Sequence, residues 1–216
     1  MADQNQHHNA NHRADSTHHA HRDLLANYLT REFGPLPQRE EIGNHSFPLT
    51  FRLMTQDDVD QKAWVHSRTW RETYDGMLPR PIVQLVSPDF AKNVTLRHGA
   101  DGYAHTMLVF AGPRVIGFSE WLDTPRPPYK DPNPHAPTAV EIGSIYLLHA
   151  YQHRGIGTKL MDTTIAAAGS PQRVMLWVVD KNSPAQKFYS HYGFRLTGQI
   201  QEEDNGQTIE QAWLRE

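Results

Sequence analysis

Hydrophobic residues follow two different periods along the chain from residue 48 onward. Alternating apolar positions, or a short apolar run between turn residues, are typical of strands. These patterns predict strands at residues 49–53, 105–111, 115–122, 140–149, 174–179, 194–201 and 208–214. Helical spacing predicts helices at 56–74, at 81–98 with an interruption at Pro88, at 159–168 and at 184–192, and a short one at 22–33. The order of these elements predicts an α/β protein with a mixed sheet.

The strand at 140–149 changes its pattern halfway along. Val140 and Ile142 are apolar residues at even-numbered positions, whereas Ile145 and Leu147 are apolar residues at odd-numbered positions. A change of parity at Gly143 predicts a β-bulge, which turns backbone groups out of the ladder. The near-continuous apolar run at 174–179 predicts a strand buried on both faces, parallel to 140–149 and reached by a right-handed crossover.

The last predicted helix has start and stop signals. Ser183 and Pro184 supply an N-cap and a first helical residue, and Gly193 ends the helix.

Composition narrows the class of protein. A chain of 216 residues suits one domain with a real core and a tail. The 21 Lys and Arg against 24 Asp and Glu argue against a dedicated nucleic-acid binder. Cysteine is absent, so neither disulfides nor thiol chemistry can contribute. No apolar run approaches membrane-spanning length, and the N-terminus lacks a signal-peptide core. We therefore expect a cytoplasmic protein without a membrane or nucleic-acid partner; whether it forms a homodimer is left open.

Residues 1–22 differ from the rest of the chain. They hold six of the 14 histidines among polar residues: His7, His8, His12, His18, His19 and His21. With almost nothing apolar to bury, this segment is expected to be a disordered tail. Imidazole binds transition metals, but these spacings match no closed site, so we predict no metal site. We divide the chain into this tail, an N-terminal helix and linker at 23–47, and a domain at 48–216.

The sequence Gln152-His153-Arg154-Gly155-Ile156-Gly157-Thr158 lies between a predicted strand and a predicted helix. Glycines let phosphate approach the backbone closely, and a helix start offers unpaired N–H groups and a positive dipole end. The spacing fits neither a P-loop nor a dinucleotide fingerprint, since Lys159 is separated from Gly157 by Thr158 and the third small residue is replaced by Leu160.

The pattern Gln-x-x-Gly-x-Gly after a strand resembles the acetyl-CoA signature of the GNAT superfamily of N-acetyltransferases. The segment 182–194 resembles that superfamily's closing Asn…Ala…Phe-Tyr…Gly-Phe motif, and 67–79 resembles a bacterial branch that includes polyamine-type acetyltransferases. The likeness covers about residues 48–216. It implies a mixed, mostly antiparallel sheet, flanked by helices, whose central parallel strand pair is splayed at a β-bulge.

The resemblance also implies where acetyl-CoA, the cosubstrate, lies. The pantetheine arm would pair with backbone at Ile145 and Leu147, and the backbone of 154–158 would hold the diphosphate. The implied cofactor-binding residues are Ile145, Tyr146, Leu147, Gln152, His153, Arg154, Gly155, Ile156, Gly157, Thr158, Asn182, Ala185, Phe188 and Tyr189. Asn182 has an alternative as a plain helix cap, and the two roles can coexist.

Transfer to an amine needs three groups. The resemblance assigns to the Leu147 N–H the stabilisation of the thioester oxygen. Tyr189 is the candidate general acid for the departing thiolate, with packing of its ring as the alternative. Glu141 is the candidate base, with an outward-facing carboxylate as its alternative and a water chain as the other route for the proton.

Candidates for binding the acceptor are Trp70, Tyr74 and Trp121, each of which could instead be core packing. The sequence thus predicts direct transfer of acetyl to a primary amine of a small molecule. A protein N-terminus or lysine as acceptor, and a non-catalytic CoA-binding sensor, are the alternatives.

Overall fold

The computed structural model describes residues 48–100, 102, 104–202 and 208–216. The expected tail at 1–22, the helix and linker up to 47 and most of the last hairpin turn lie outside them. Seven strands form one sheet: β1 Leu49–Leu53, β2 His105–Ala111, β3 Arg114–Leu122, β4 Val140–Leu147, β5 Val174–Val179, β6 Arg195–Glu202 and β7 Ile209–Arg215. The helices are α1 Val59–Tyr74, α2 Arg80–Leu85, α3 Pro88–Ala100, α4 Ile156–Ala167 and α5 Ser183–Tyr192.

Periodicity predicts the elements closely, and the differences have local causes. Pro88 begins α3 instead of interrupting one long helix, because proline is tolerated in a first turn but not in a helix interior. The helix predicted from residue 56 opens with a 3-10 turn at Gln56–Asp58. β4 ends at Leu147, two residues earlier than predicted, and a 3-10 turn at His149–Tyr151 follows.

The sheet has the strand order β1-β2-β3-β4-β5-β7-β6. Its neighbours are antiparallel except for β4 and β5, which are parallel over the three pairs from Val140↔Val174 to Ile142↔Leu176. Beyond Ile142 the two strands are no longer paired. The predicted fold class, a mostly antiparallel sheet with one splayed parallel pair, is confirmed.

The bulge predicted in β4 is confirmed at Gly143. Ser144 pairs with Glu120 and Ile142 with Trp121, so Gly143 has no partner on β3. The Val140 N–H donates toward β5, to Arg173 O at 3.0 Å, whereas the Leu148 N–H donates toward β3, to Ile116 O at 2.9 Å. Peptide groups alternate in direction along a strand. After the bulge the backbone groups of residues 145 and 147 therefore face away from β3, toward the side where β5 has departed.

Helices cover both faces of the sheet. α1 packs on the face that carries Phe118 and Tyr146, whose rings lie 5.2 and 5.6 Å from the ring of His66. α4 packs on the opposite face, where Nζ of Lys159 lies 5.4 Å from the ring centroid of Phe51. In the part of the chain that the structure describes, no helix is both long enough and apolar enough to cross a membrane.

Candidate active site

The gap between β4 and β5 begins where their pairing stops, after Ile142 and Leu176. The backbone groups of Ile145 and Leu147 face this gap, as the alternation of peptide directions requires. Gln152 donates from Nε2 to Leu147 O at 2.9 Å and so ties the end of β4 to the turn before α4. The carbonyl of Leu147 is therefore engaged, and its N–H is the group that an oxygen in the gap would meet.

The glycine turn leads from β4 into α4. His153 and Gly155 both have left-handed backbones, with φ of 60° and 76°, and Gly155 is the N-cap. Gly155 has no side chain with which to cap this helix. The N–H groups of the first turn are thus not satisfied by the N-cap residue, and the positive end of the helix dipole adds to them. Such a turn can hold an anion at the mouth of the gap.

α5 follows β5 and packs beside the start of α4. Its N-cap is Asn182, whose side chain accepts from the Ala185 N–H at 3.2 Å, so the prediction that Ser183 is the cap is wrong. Asn182 is buried, and Ala185 and Phe188 are half-buried. The Phe188 ring lies beside the start of α4: a Cβ placed on Gly157 would be 3.7 Å from this ring.

Two tyrosines of α5 occupy different environments. Tyr189 is buried between the rings of Phe188 and Phe194, at centroid distances of 5.4 and 5.8 Å. Burial raises the pKa of Tyr189 well above its ordinary value, so the phenol keeps its proton. Tyr192 instead hydrogen-bonds Asp162 of α4, and burial together with that bond raises its pKa to about 12. Tyr189 is therefore a protonated phenol inside the protein, whereas Tyr192 forms a contact between helices.

Aromatic side chains of α1 meet Tyr146 of β4. The rings of Trp70 and Tyr74 lie 4.5 Å apart. Burial raises the pKa of both Tyr74 and Tyr146, whose hydroxyl groups interact with each other. Nε1 of Trp70 and Nδ1 of His66 are buried without a hydrogen-bond partner among the described residues. Trp70 and Tyr74 thus lie together on the face opposite α4; their binding of an acceptor stays a prediction.

Trp121 does not join this group. It is buried in the main core and stacks on His105 at a centroid distance of 4.9 Å. Glu120 contacts Lys62 of α1 and therefore faces that helix. Neighbouring side chains of a strand point to opposite faces, so Trp121 lies on the other face of the sheet. The structure separates it from Trp70 and Tyr74, with which the sequence analysis had grouped it.

Glu141 is fully buried and holds Arg126. One carboxylate oxygen accepts from Nε and Nη2 of Arg126, at 2.8 and 2.5 Å, and the other accepts from the Arg126 N–H at 2.7 Å. These bonds anchor the loop between β3 and β4 to the sheet. A base needs a lone pair open to the amine, so action of Glu141 as a base requires Arg126 to move.

The sequence analysis missed Glu210 of β7. It pairs with Val179 of β5, which packs in one cluster with Trp70 and Tyr74. Gln201 donates to its Oε2 at 2.6 Å, and its charge contributes, after burial, to the raised pKa of Tyr74. Glu210 lies on a strand far from any motif, so nothing near it in the sequence indicates that it lies close to Tyr74. Only the register of β7 with β5 reveals its position.

Metal ligands do not converge in the described ranges: no group of three or more His, Asp or Glu side chains there could hold an ion. The six histidines at 1–22 lie outside those ranges.

Known proteins share this architecture. A probable N-acetyltransferase of Mycobacterium tuberculosis is 23% identical over 155 residues, covering 70% of this chain and 83% of that protein. The PaiA N-acetyltransferase of Thermoplasma acidophilum, crystallised in complex with coenzyme A, superposes with a TM-score of 0.58 at 19% identity, covering 78% of this chain and 99% of that one. An acetyltransferase of Thermus thermophilus gives 0.56 at 18%, covering 79% and 98%. At these identities the structural likeness shows the fold alone.

The family is shown by the sequence itself. A family model, described as the acetyltransferase (GNAT) family, matches residues 67–194, which is more than half of the chain. The matched range contains β4, the glycine turn and α5. The chain therefore belongs to the acetyltransferase (GNAT) family.

Proposed function

We propose that this protein transfers an acetyl group from acetyl-CoA directly to a primary amine of a small molecule. The observation that carries the proposal is the gap between β4 and β5, into which the backbone of Ile145 and Leu147 faces beside the start of α4, where the N-cap is a glycine. A structural neighbour, the PaiA protein, was crystallised with coenzyme A.

The residues around the gap fit such a donor. Gly157 is not required by the protein's own packing, since a Cβ there would meet Phe188 at an ordinary 3.7 Å. A glycine at this position is expected if a diphosphate approaches the backbone closely. In this proposal the backbone of 154–158 holds the diphosphate, and Ile145 and Leu147 pair with the pantetheine arm.

Acetyl-CoA supplies an acetyl thioester, and the chain's own residues handle charge and protons. The Leu147 N–H donates to the thioester oxygen as negative charge develops there. Tyr189, which keeps its proton because it is buried, donates it to the departing thiolate. Direct transfer is favoured because the chain has no cysteine to carry the acetyl group.

Two routes remain for the proton of the amine. Glu141 can take it once Arg126 has released the carboxylate, or water beside the tyrosines can take it. If Glu141 is the base, Glu141→Gln lowers kcat, while Arg126→Ala, which frees Oε1 and leaves Oε2 held by the backbone N–H of residue 126, does not. If Glu141 only anchors the loop, both variants raise KM for the amine alike. Steady-state kinetics of the two variants, with KM for acetyl-CoA as the control, decide between the routes.

The acceptor side combines aromatic side chains with a loop. α1 contributes Trp70 and Tyr74, and the loop after β3 lies on the same face of the sheet, where Tyr129 packs on Trp177. Two ion pairs hold this loop on the sheet. One joins Arg126 to Glu141 near the start of the loop, and the other joins Asp131 to Arg173. Aromatic side chains with the carboxylate of Glu210 nearby suit a small cationic amine. The polyamine-type branch suggested by residues 67–79 stays a prediction.

Two measurements on the whole chain test the proposal. Acetyl-CoA at about 100 times its Kd should stabilise the protein by roughly 2.7 kcal/mol, visible as a shift in Tm. Release of free CoA is then followed over a panel of small amines and peptides. No shift with acetyl-CoA would refute the proposal, and a shift without release on any amine would favour a CoA-binding sensor. Release only with peptides would favour a protein acceptor. A variant lacking residues 1–22 serves as the control, since both signals should survive.

A further inference from the structure

A buried ion pair lies directly beneath the bulge of β4. Lys62 of α1 is fully buried, and its Nζ lies 2.8 Å from Glu120 Oε1 and 3.0 Å from Thr95 Oγ1. The same ammonium lies 4.4 Å from the ring centroid of Phe118. A lysine is almost never fully buried unless its charge is paired, as it is here.

The partner of Lys62 divides its two oxygens between a helix and the bulge. Glu120 Oε1 accepts from Lys62, and Oε2 accepts from Ser144 Oγ at 3.0 Å. Ser144 is the first residue after Gly143, the residue without a partner, and pairs with Glu120 across the strands. Burial would raise the pKa of Glu120, but the charge and hydrogen bond of Lys62 lower it below its ordinary value. Glu120 therefore stays ionised and remains a strong acceptor for Ser144.

We propose that Lys62 and Glu120 are positioning residues for acetyl transfer, which act by holding Ser144 and with it the bulge of β4. This inference rests on the proposed function, because the bulge matters through the direction in which residues 145 and 147 present their backbone. In a strand without the bulge, the N–H of Leu147 would turn toward β3 and away from the gap. The network thus links α1, which carries the acceptor-side aromatics, to the donor side of the site.

Two single variants separate positioning from stability. Ser144→Ala removes the donor to Glu120 Oε2 and leaves the ion pair intact. We expect a fall of about tenfold in kcat and in CoA affinity, since a misplacement of about 1 Å at a reacting centre can cost roughly a hundredfold. Thr95→Val is the matched control, because it removes the other hydrogen bond of the same network without touching β4. It should lower Tm and leave kcat and CoA affinity unchanged.

Two double variants test the charge pair itself. Lys62→Met with Glu120→Gln removes both charges but keeps an amide oxygen that can accept from Ser144, so it should lose less of the wild-type kcat than Ser144→Ala does. Lys62→Met with Glu120→Leu has no acceptor for Ser144 and should lose activity like Ser144→Ala. Neither double variant leaves one charge of the Lys62–Glu120 pair alone, because an unpaired buried charge could unfold the protein.

The outcomes are measured by calorimetric titration with CoA, steady-state kinetics and Tm, all well below the melting temperature. If Ser144→Ala had the same kcat and CoA affinity as the wild type, the positioning role would be refuted and the proposed function would be unaffected. Equal losses in Ser144→Ala and Thr95→Val would also overturn it, because the network would then act only through stability. Absence of any CoA or acetyl-CoA binding by the wild type would overturn the proposed function, and the inference with it.

Discussion

Replacing Gly157 by alanine separates the stability of the protein from its ability to bind the donor. Gly157 is the second residue of α4, and a Cβ there would lie 3.7 and 3.8 Å from two carbons of the Phe188 ring, an ordinary contact. The substitution thus meets no clash within the described residues. Glycine inside a helix costs roughly 0.5–1 kcal/mol relative to alanine. The free energy of unfolding of the ligand-free variant should therefore equal that of the wild type or exceed it by up to about 1 kcal/mol.

Acetyl-CoA binding should change in the opposite direction. If the diphosphate lies against the backbone of this turn, the added methyl group displaces it, and we expect at least about a tenfold loss of affinity, or roughly 1.4 kcal/mol. A ligand concentration that stabilises the wild type by roughly 2.7 kcal/mol then stabilises the variant by only about 1.4 kcal/mol. Urea unfolding with and without acetyl-CoA, and calorimetric titration, measure the two quantities separately.

Gly99→Ala is the matched control. Gly99 lies in α3, nothing lies within 4 Å of a Cβ placed there, and its backbone is not left-handed. This variant should gain stability in the same way and bind acetyl-CoA like the wild type. If Gly157→Ala bound acetyl-CoA as tightly as Gly99→Ala does, the diphosphate could not lie over the start of α4, and that part of the reasoning would be refuted.

Three further predictions follow from packing and burial. Gly117→Ala places a Cβ 2.6 Å from the backbone oxygen of Tyr146, and overpacking of this kind costs about 1–3 kcal/mol; unchanged urea unfolding would contradict it. Tyr189→Phe should lower kcat with little change in acetyl-CoA affinity; an unaltered kcat, with chemistry shown to limit the rate, would remove the role of Tyr189. Burial, then the charge of Lys62, lowers the pKa of His66 to about 3. Because the unfolded state alone takes up this proton between about pH 6.5 and 3, stability should fall as pH falls through that window, by up to about 5 kcal/mol in total. His66→Phe should flatten the curve there, and parallel curves for variant and wild type would contradict the assignment.

Features that depend on neighbouring residues could be predicted from the sequence. The parity change around Gly143 predicts the bulge, because the direction of a side chain on a strand depends only on its position along that strand. The glycine turn and the last helix were placed for the same reason. Two adjacent residues, Ser183 and Asn182, were both given a capping role, because both residue types cap helices; the structure confirms it for Asn182 and not for Ser183.

Features that depend on register could not be predicted. The ladder of β2 with β3 shifts between Val109 and Phe110, and that of β3 with β4 shifts between Glu120 and Trp121. Counting along the sequence cannot include such shifts. Trp121 was grouped with Trp70 and Tyr74 because the sequence does not say which face of the sheet α1 covers. Glu141 contacts Arg126, which lies 15 positions earlier in a loop with no periodicity.

The two sides of the site are built differently, and this explains why the sequence identifies the donor more readily than the acceptor. The donor side comes from one continuous stretch, β4 through α5, in which each element follows the last along the chain. The acceptor side combines α1, a loop and β7, which lie far apart in sequence. Lys62, Glu120 and Ser144 join the two sides, because one buried pair contacts both the helix that carries Trp70 and the bulge that opens the gap. A change of helix α1 that suits a new amine must therefore preserve this pair, or it will also disturb the donor side.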